Sequence, residues 1–436
     1  LSSGWIHQQV ATALEISMIS VSRTFALTAL AAAVLAGCGG SDYSAPLVSQ
    51  PAPAAPAAPV APVEPPPPPP PAVTKLVELR TTQLPIQSIV FHKGAAYLSL
   101  FNSAKDGTSV LKAGLPLVST TSWAPTNLGK CVLPPTTESI NFDRAPSLKS
   151  VDGKLWLFQQ YMGSDKNEEH HLCEANDDGT AFLPKDAGLK TCNEFFCDVP
   201  WITDLKLVGT RLLSNAGGGE NVLLSEDKGS TWKVLNGSFG SMACYHPSFE
   251  VIGDRLLVGG ECPLDSAYLR SYQLTADGSK LASATPLSMD LPDLQNRNIQ
   301  FIESVAGTKR VFVGVEGGLL RSDDSGKSFK FVIHEEIMSE NKSYPYIWKF
   351  LSPAGKPDVL IVAGFDKVAR KPYLAWSANG GDTWTNLSSM LPQPANSDLT
   401  GQVTALAEGP NGEILVTVND ALDGKGHLLQ LTLGKP

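Results

Sequence analysis

The chain has no cluster of lysine or arginine, and its net charge is −9. An acidic chain without a basic patch offers nothing for a phosphate backbone to settle on, which excludes nucleic acid as the principal partner. No Cys-x-x-Cys pair occurs, so the common structural zinc sites are absent. A Gly-rich phosphate loop, a nucleophile elbow and an HExxH motif are missing as well. No cofactor and no metal are therefore expected. The one dense acid and histidine cluster, Asp165 to His171, reads as a solvated hairpin tip, because neighbours on a strand point to opposite faces. The apolar run Phe25 to Val34 is too short to span a bilayer as a helix.

That run has a different meaning. It follows Met18 and Arg23 and leads directly into Leu35-Ala-Gly-Cys38. A short basic segment, an apolar segment and this tetrapeptide form a bacterial lipoprotein signal, with Cys38 the lipidated first residue of the mature chain. Residues 1–17 then read as an upstream over-extension or a genuine extension, and 18–37 as the signal peptide. Residues 38–74 are rich in Ala-Pro and include the proline run Pro65 to Pro71, which favours an extended tether over a packed core. The expected location is the bacterial cell envelope, lipid-anchored and periplasmic or surface-exposed. Gly39 after the cysteine favours outer-membrane sorting in an enteric-like host.

Six further cysteines follow: Cys131, Cys173, Cys192, Cys197, Cys244 and Cys262. An even number in an exported chain indicates disulfides, and six allow about fifteen connectivities. Proximity favours Cys192–Cys197 and Cys244–Cys262, leaving Cys131–Cys173.

Residues 75–436 are dominated by short apolar runs and by one repeated turn. Its three copies are Ser225-Glu-Asp227-Lys-Gly229-Ser-Thr231-Trp232, Ser322-Asp-Asp324-Ser-Gly326-Lys-Ser328-Phe329 and Ser377-Ala-Asn379-Gly-Gly381-Asp-Thr383-Trp384. Each lies between strand-like runs and reads as a hairpin. The Asp or Asn can accept from backbone N–H groups ahead of it, glycine supplies a positive φ, and the aromatic ring is buried beside the turn. Every position has a structural explanation. The pattern resembles the Asp-box, or bacterial neuraminidase repeat, of sialidase-like β-propellers.

The resemblance implies blades of about fifty residues. Imposing that period exposes weaker copies ending at Phe182 and Leu281, and apolar inner strands starting near residues 88, 145, 202, 248, 299, 347 and 403. The chain is therefore expected to be all-β, a seven-bladed β-propeller, with a six-bladed ring as the alternative. The last unit supplies only three strands. The run beginning at Lys75 is expected to complete it and close the ring, which removes an open sheet edge.

Propellers usually bind ligands where the inner strands begin. The segments entering those strands contribute Arg144, Trp201, Asp204, Tyr245, His246, Arg297, Tyr346 and Trp348. Aromatic rings can stack on sugars and arginine can pair with carboxylates, so a carbohydrate or protein partner is expected, bound by a monomer. Phe142-Asp-Arg144-Ala-Pro146 is similar to the sialidase Arg-Ile-Pro motif, with Ala145 in place of isoleucine. That similarity implies an arginine clamp with Arg144 as one member and Arg297 as a second. It also implies a tyrosine nucleophile, Tyr245 or Tyr346, and Asp165 as the acid. No third arginine and no complete catalytic set can be placed. Three readings follow: a non-catalytic binding propeller, a sialidase-like glycoside hydrolase, and an envelope assembly factor similar to the propellers that assemble photosystems.

Overall fold

The computed structural model describes residues 73–433, apart from 103–106, 132–145, 159–169, 171, 187–188, 190, 193–196, 199–201, 203, 217–220, 236–244, 263–265, 295–296, 338–341, 395–399 and 421–423. Arg144, Trp201, Cys244, Asp165 and Cys38 with its signal and tether lie outside these residues. The described chain forms seven antiparallel sheets of three or four strands and one two-stranded hairpin. The inner strands are Ile86–His92, Ser147–Val151, Leu205–Val208, Tyr245–Ile252, Ile299–Ser304, Pro345–Leu351 and Gln402–Glu408. Each inner strand packs against the next blade, and that of blade 7 returns to blade 1. The fold is a seven-bladed β-propeller, and the six-bladed alternative is excluded because every weak unit forms a sheet of its own.

Two-sided burial explains the sequence of the blades. In blade 6, Leu360 and Val362 face blade 5 while Ile361 and Ala363, on the same strand, face blade 7. Strand side chains alternate, so a strand buried on both faces is apolar throughout. Seven apolar clusters result, one between each pair of neighbouring blades. Fully burying one such side chain contributes roughly 1.5–3 kcal/mol. Stability is thus spread around the ring.

Blade 7 takes its outermost strand from the other end of the chain. Val73–Thr82 pairs antiparallel with Gly426–Leu433, from Val73 opposite Leu433 to Thr82 opposite Gly426. Asn419 bridges blades 7 and 1: its Oδ1 accepts from the Ile86 N–H at 2.9 Å and its Nδ2 donates to the Ile86 carbonyl at 3.0 Å.

The repeated turns join each blade to the one before it. In blade 3 the Ser225 hydroxyl donates to Asp227 Oδ1 (2.9 Å) and accepts the Gly229 N–H (2.7 Å). Asp227 also accepts the Thr231 N–H (2.8 Å) and hydroxyl (2.6 Å). Blade 5 repeats the set around Asp324, with Ser322, Gly326 and Ser328. In blade 6 Asn379 keeps the backbone bond to Thr383 at 3.0 Å, but its amide now donates to the Thr383 hydroxyl. The three glycines have φ of 85°, 79° and 92°. A Cβ on Gly229 would come within 2.5 Å of Trp156, and one on Gly326 within 2.9 Å of Leu257. Both contacts belong to the preceding blade's second strand. Trp232 and Phe329 enter the cores with the preceding blade, and Trp384 packs against the core between blades 5 and 6.

A disulfide joins Cys131, just beyond the outer strand of blade 1, to Cys173 on the third strand of blade 2 (Cα–Cα 6.3 Å). It covalently reinforces the first inter-blade contact. Cys192 and Cys197 are register partners in the two-stranded hairpin, and Cys262 ends the second strand of blade 4.

Candidate functional site

The inner strands carry an ion-pair set that begins at Asp204. Its carboxylate contacts the ammonium of Lys149 from blade 2, and its other oxygen lies 3.5 Å from Lys206 of its own blade. Lys206 donates to Glu250 of blade 4 at 2.8 Å, and reaches past that blade to Glu303 at 3.3 Å and the Ile302 carbonyl at 3.3 Å. Five side chains from four successive blades thus meet along the channel wall. Burial works against the Lys206 ammonium, but the facing Glu303, Glu250 and Asp204 outweigh it and hold it well above the ordinary lysine range. Burial also opposes the Asp204 anion, yet Lys149 and Lys206 bring it below the usual carboxylate range. Glu303 goes the other way. Burial and the neighbouring Glu250 and Asp204 raise it, despite the two lysines. Sequence reasoning found Asp204 alone, because its partners are distant along the chain.

A different arrangement lies where the inner strand of blade 6 begins. Tyr344, Tyr346, Phe365 and Trp348 form a continuous row, with ring centroids 6.2, 5.0 and 4.9 Å apart. The strand bulge between Ile347 and Lys349 turns Trp348 toward blade 7, where its indole donates to the Val403 carbonyl at 2.7 Å. Tyr344 is buried, whereas the other three rings are half-exposed. Lys367 stands over the Tyr346 ring at 5.2 Å. Tyr346 and Trp348 are therefore brought together, and Phe365 joins them from the neighbouring strand. Alternation within the segment Tyr344-Pro-Tyr-Ile-Trp348 was the available signal, but nothing local identifies Phe365.

Arg297 adjoins this row from blade 5. Its side chain is fully buried, and its guanidinium donates to the backbone carbonyls of Glu316 (2.9 Å) and Glu335 (2.8 Å) over the Phe331 ring (5.3 Å). Gly317 makes this possible: its φ is 68°, and a Cβ there would lie 2.6 Å from the guanidinium. Arg297 thus ties the hairpin turn at Glu316-Gly317 within blade 5 to Glu335, just beyond that blade's outer strand, and is not exposed. Above it the Tyr344 hydroxyl donates to Glu316 at 3.3 Å. Burial and the Glu316 charge raise the Tyr344 pKa, the opposite of what a phenoxide nucleophile needs. This tyrosine–glutamate pair went unnoticed in the sequence, where Tyr344 is one of two tyrosines flanking a proline.

Of the remaining candidates, Tyr245 and His246 open the inner strand of blade 4. His170, from the acid and histidine cluster, bonds Asp186 at 2.9 Å. Among the described residues no group of three His, Cys, Asp or Glu side chains is placed to hold a metal.

No family model matches the chain, and no curated protein matches it in sequence. Similarity to solved structures is extensive. YCF48 from Cyanidioschyzon merolae aligns over 82% of this chain and 99% of that chain, at 13% identity and a TM-score of 0.50. The WD40 repeats of RRP9 align over 83% and 99%, at 12% identity and 0.50. A YCF48 bound to a D1 peptide aligns over 84% and 100%, at 13% identity and 0.47. At this level of identity the likeness concerns the fold.

Proposed function

We propose that this chain is a lipid-anchored protein of the bacterial envelope that holds a protein partner through the aromatic row of blade 6. The carrying observation is the row itself: Tyr346, Phe365 and Trp348 are half-exposed, and their rings lie against one another where the inner strand of blade 6 begins. Stacked, partly exposed rings with one hydrogen-bonded edge supply rigid apolar area at little entropic cost, the usual makeup of a binding hot spot. Lipidation at Cys38, with residues 38–74 as spacer, places the propeller at the membrane. The Cys131–Cys173 disulfide supports an oxidising compartment.

The full chain should be recovered from detergent-solubilised envelopes with one protein at constant stoichiometry. Tyr346→Ala should abolish that recovery, and Cys38→Ala should release the chain from membranes. A partner retained undiminished by Tyr346→Ala would sink the reading. The sialidase-like alternative has one observation in its favour, the Tyr344–Glu316 pair beside Arg297. Hydrolysis of a fluorogenic sialoside that disappears in Tyr344→Phe would establish it in place of the binding role.

A further inference from the structure

The outer strands of the blades are not alike. Those of blades 1, 3 and 6 are two residues long, and that of blade 2, Phe182–Pro184, is three and ends in proline. The ten-residue strand of blade 7 carries Lys75, Glu78 and Arg80 and two register irregularities. Shortness, proline, charge and bulges are the ordinary means of keeping a sheet edge from pairing. Blade 4 ends in the eight-residue strand Ser266–Gln273, whose edge takes main-chain bonds from Leu287 and Ala282; blade 5 ends in the five-residue strand Lys330–His334, whose centre is Phe331-Val332-Ile333. Its outward edge begins paired, with the Phe329 N–H donating to the Asp290 carbonyl at 2.9 Å. Beyond Phe329 no main-chain bond to that edge is present among the described residues.

The unpaired stretch faces a groove. Two adjoining clefts of about 360 and 340 Å³ share Ile333, Glu335, Tyr373 and Asn386, and together extend from Lys371 and Asp366 to Trp384. Val332, Ile333, Tyr373 and Trp384 also pack against the apolar core between blades 5 and 6, so the floor of the groove is apolar. The lining carboxylates are Glu335, Asp366 and Asp382, against the single ammonium of Lys371. Asp382 is engaged by Arg321 at 2.6 Å, and Asp366 accepts the backbone N–H groups of Val368 and Ala369. Glu335 is exposed and has no ion pair or side-chain hydrogen bond among the described residues.

We infer that this groove receives a partner peptide in extended conformation, which adds a strand to Lys330–His334 and sets a lysine or arginine on Glu335. The open edge would supply main-chain hydrogen bonds over roughly five residues, or about 16 Å of strand. The apolar floor would take alternate side chains, and the surplus of carboxylates selects a basic ligand over an acidic one. This site lies on the flank between blades 5 and 6 and does not depend on the aromatic row.

The test selects binders to the full chain from a random dodecapeptide display library, and then measures affinity and amide hydrogen exchange with the enriched peptides. Enriched sequences should alternate apolar residues around a lysine or arginine and lose about tenfold in affinity to Glu335→Lys. They should also slow amide exchange within Lys330–His334, a readout that survives even if the variant is perturbed. Failure to enrich any peptide, indifference to Glu335→Lys, or unchanged exchange in that strand would overturn the inference. Peptides that depend on Tyr346 instead would overturn the groove while leaving the proposed role of the aromatic row intact. Groove peptides that ignore Tyr346→Ala are the expected result, and they leave the role of the aromatic row to its own test.

Discussion

Carboxylates stabilise this propeller in two regions, by opposite means. At the periphery, Asp227 is almost fully in solvent, and the hydroxyl and N–H of Thr231, helped by Ser225, bring it down to about 2. Burial opposes ionisation of Asp324, yet bonds from Ser328, Ser322 and Lys327 hold it at about 2 as well. Along the channel, the carboxylates of Asp204, Glu250 and Glu303 share the two ammonium groups of Lys149 and Lys206, contributed by four blades in all. The peripheral groups are held by fixed dipoles within four residues of themselves. The inner groups are held by full charges and low dielectric, and each depends on the others. Acidification therefore acts on Asp324 and Glu303 in opposite senses, and within the inner set Asp204 responds as Asp324 does. The depressed pKa of Asp324 contributes stability above its unfolded value that is lost as pH falls. The raised pKa of Glu303 makes its protonation a relief.

The inner region is most sensitive at Lys206. Lys206→Met leaves carboxylates in the channel wall with only Lys149 to face, and breaking a buried set in this way costs roughly 3–5 kcal/mol. Urea unfolding should show a large drop in midpoint with an unchanged slope. A loss below about 1 kcal/mol would mean that water screens the set as it does a surface pair. Next in size is Gly229→Ala at the periphery. The added methyl combines a positive φ with overlap on Trp156, for about 3 kcal/mol by the same measurement. A near-neutral result would show that blades 2 and 3 can separate slightly at no cost. The smallest effect is expected for Asp324→Asn, within about 0.5 kcal/mol at neutral pH. Asn379 already performs that role in blade 6 with one hydrogen bond reversed. The variant should differ in acid: wild type loses this turn's contribution between about pH 4 and pH 2, and the asparagine protein should not. Parallel thermal melts from pH 5 to pH 2 decide it, and identical pH profiles would remove the assigned role of Asp324.

The same division governs what could be read in the sequence. The turns were legible because Ser225, Asp227, Gly229 and Thr231 bond at separations of two and four, so fixed spacing encodes the geometry. The inner strands were legible because burial on both faces leaves continuous apolar runs such as Leu360-Ile361-Val362-Ala363. The Cys131–Cys173 pairing followed once the nearer cysteines had been matched with each other. The channel set was not legible. Lys206 meets Glu250 44 residues away, a distance set by blade packing and not by local pattern. Arg297 was visible as a residue, but its direction depends on Gly317, on a turn that comes two strands later. Phe365 and the flank groove arise from neighbouring strands and blades, and no one-dimensional spacing marks them.

The seam in blade 7 sets an order of events during synthesis. Within the propeller, the strand Val73–Thr82 is made before the other blade strands and pairs with Gly426–Leu433, which is made after them. Six blades can assemble while the seventh lacks a side, and throughout that interval a ten-residue strand has no partner in its final sheet. Ring closure is consequently a checkpoint on completion of the propeller. A chain truncated before Gly426 would keep most of its inter-blade cores and still present an unsealed edge to proteases and chaperones.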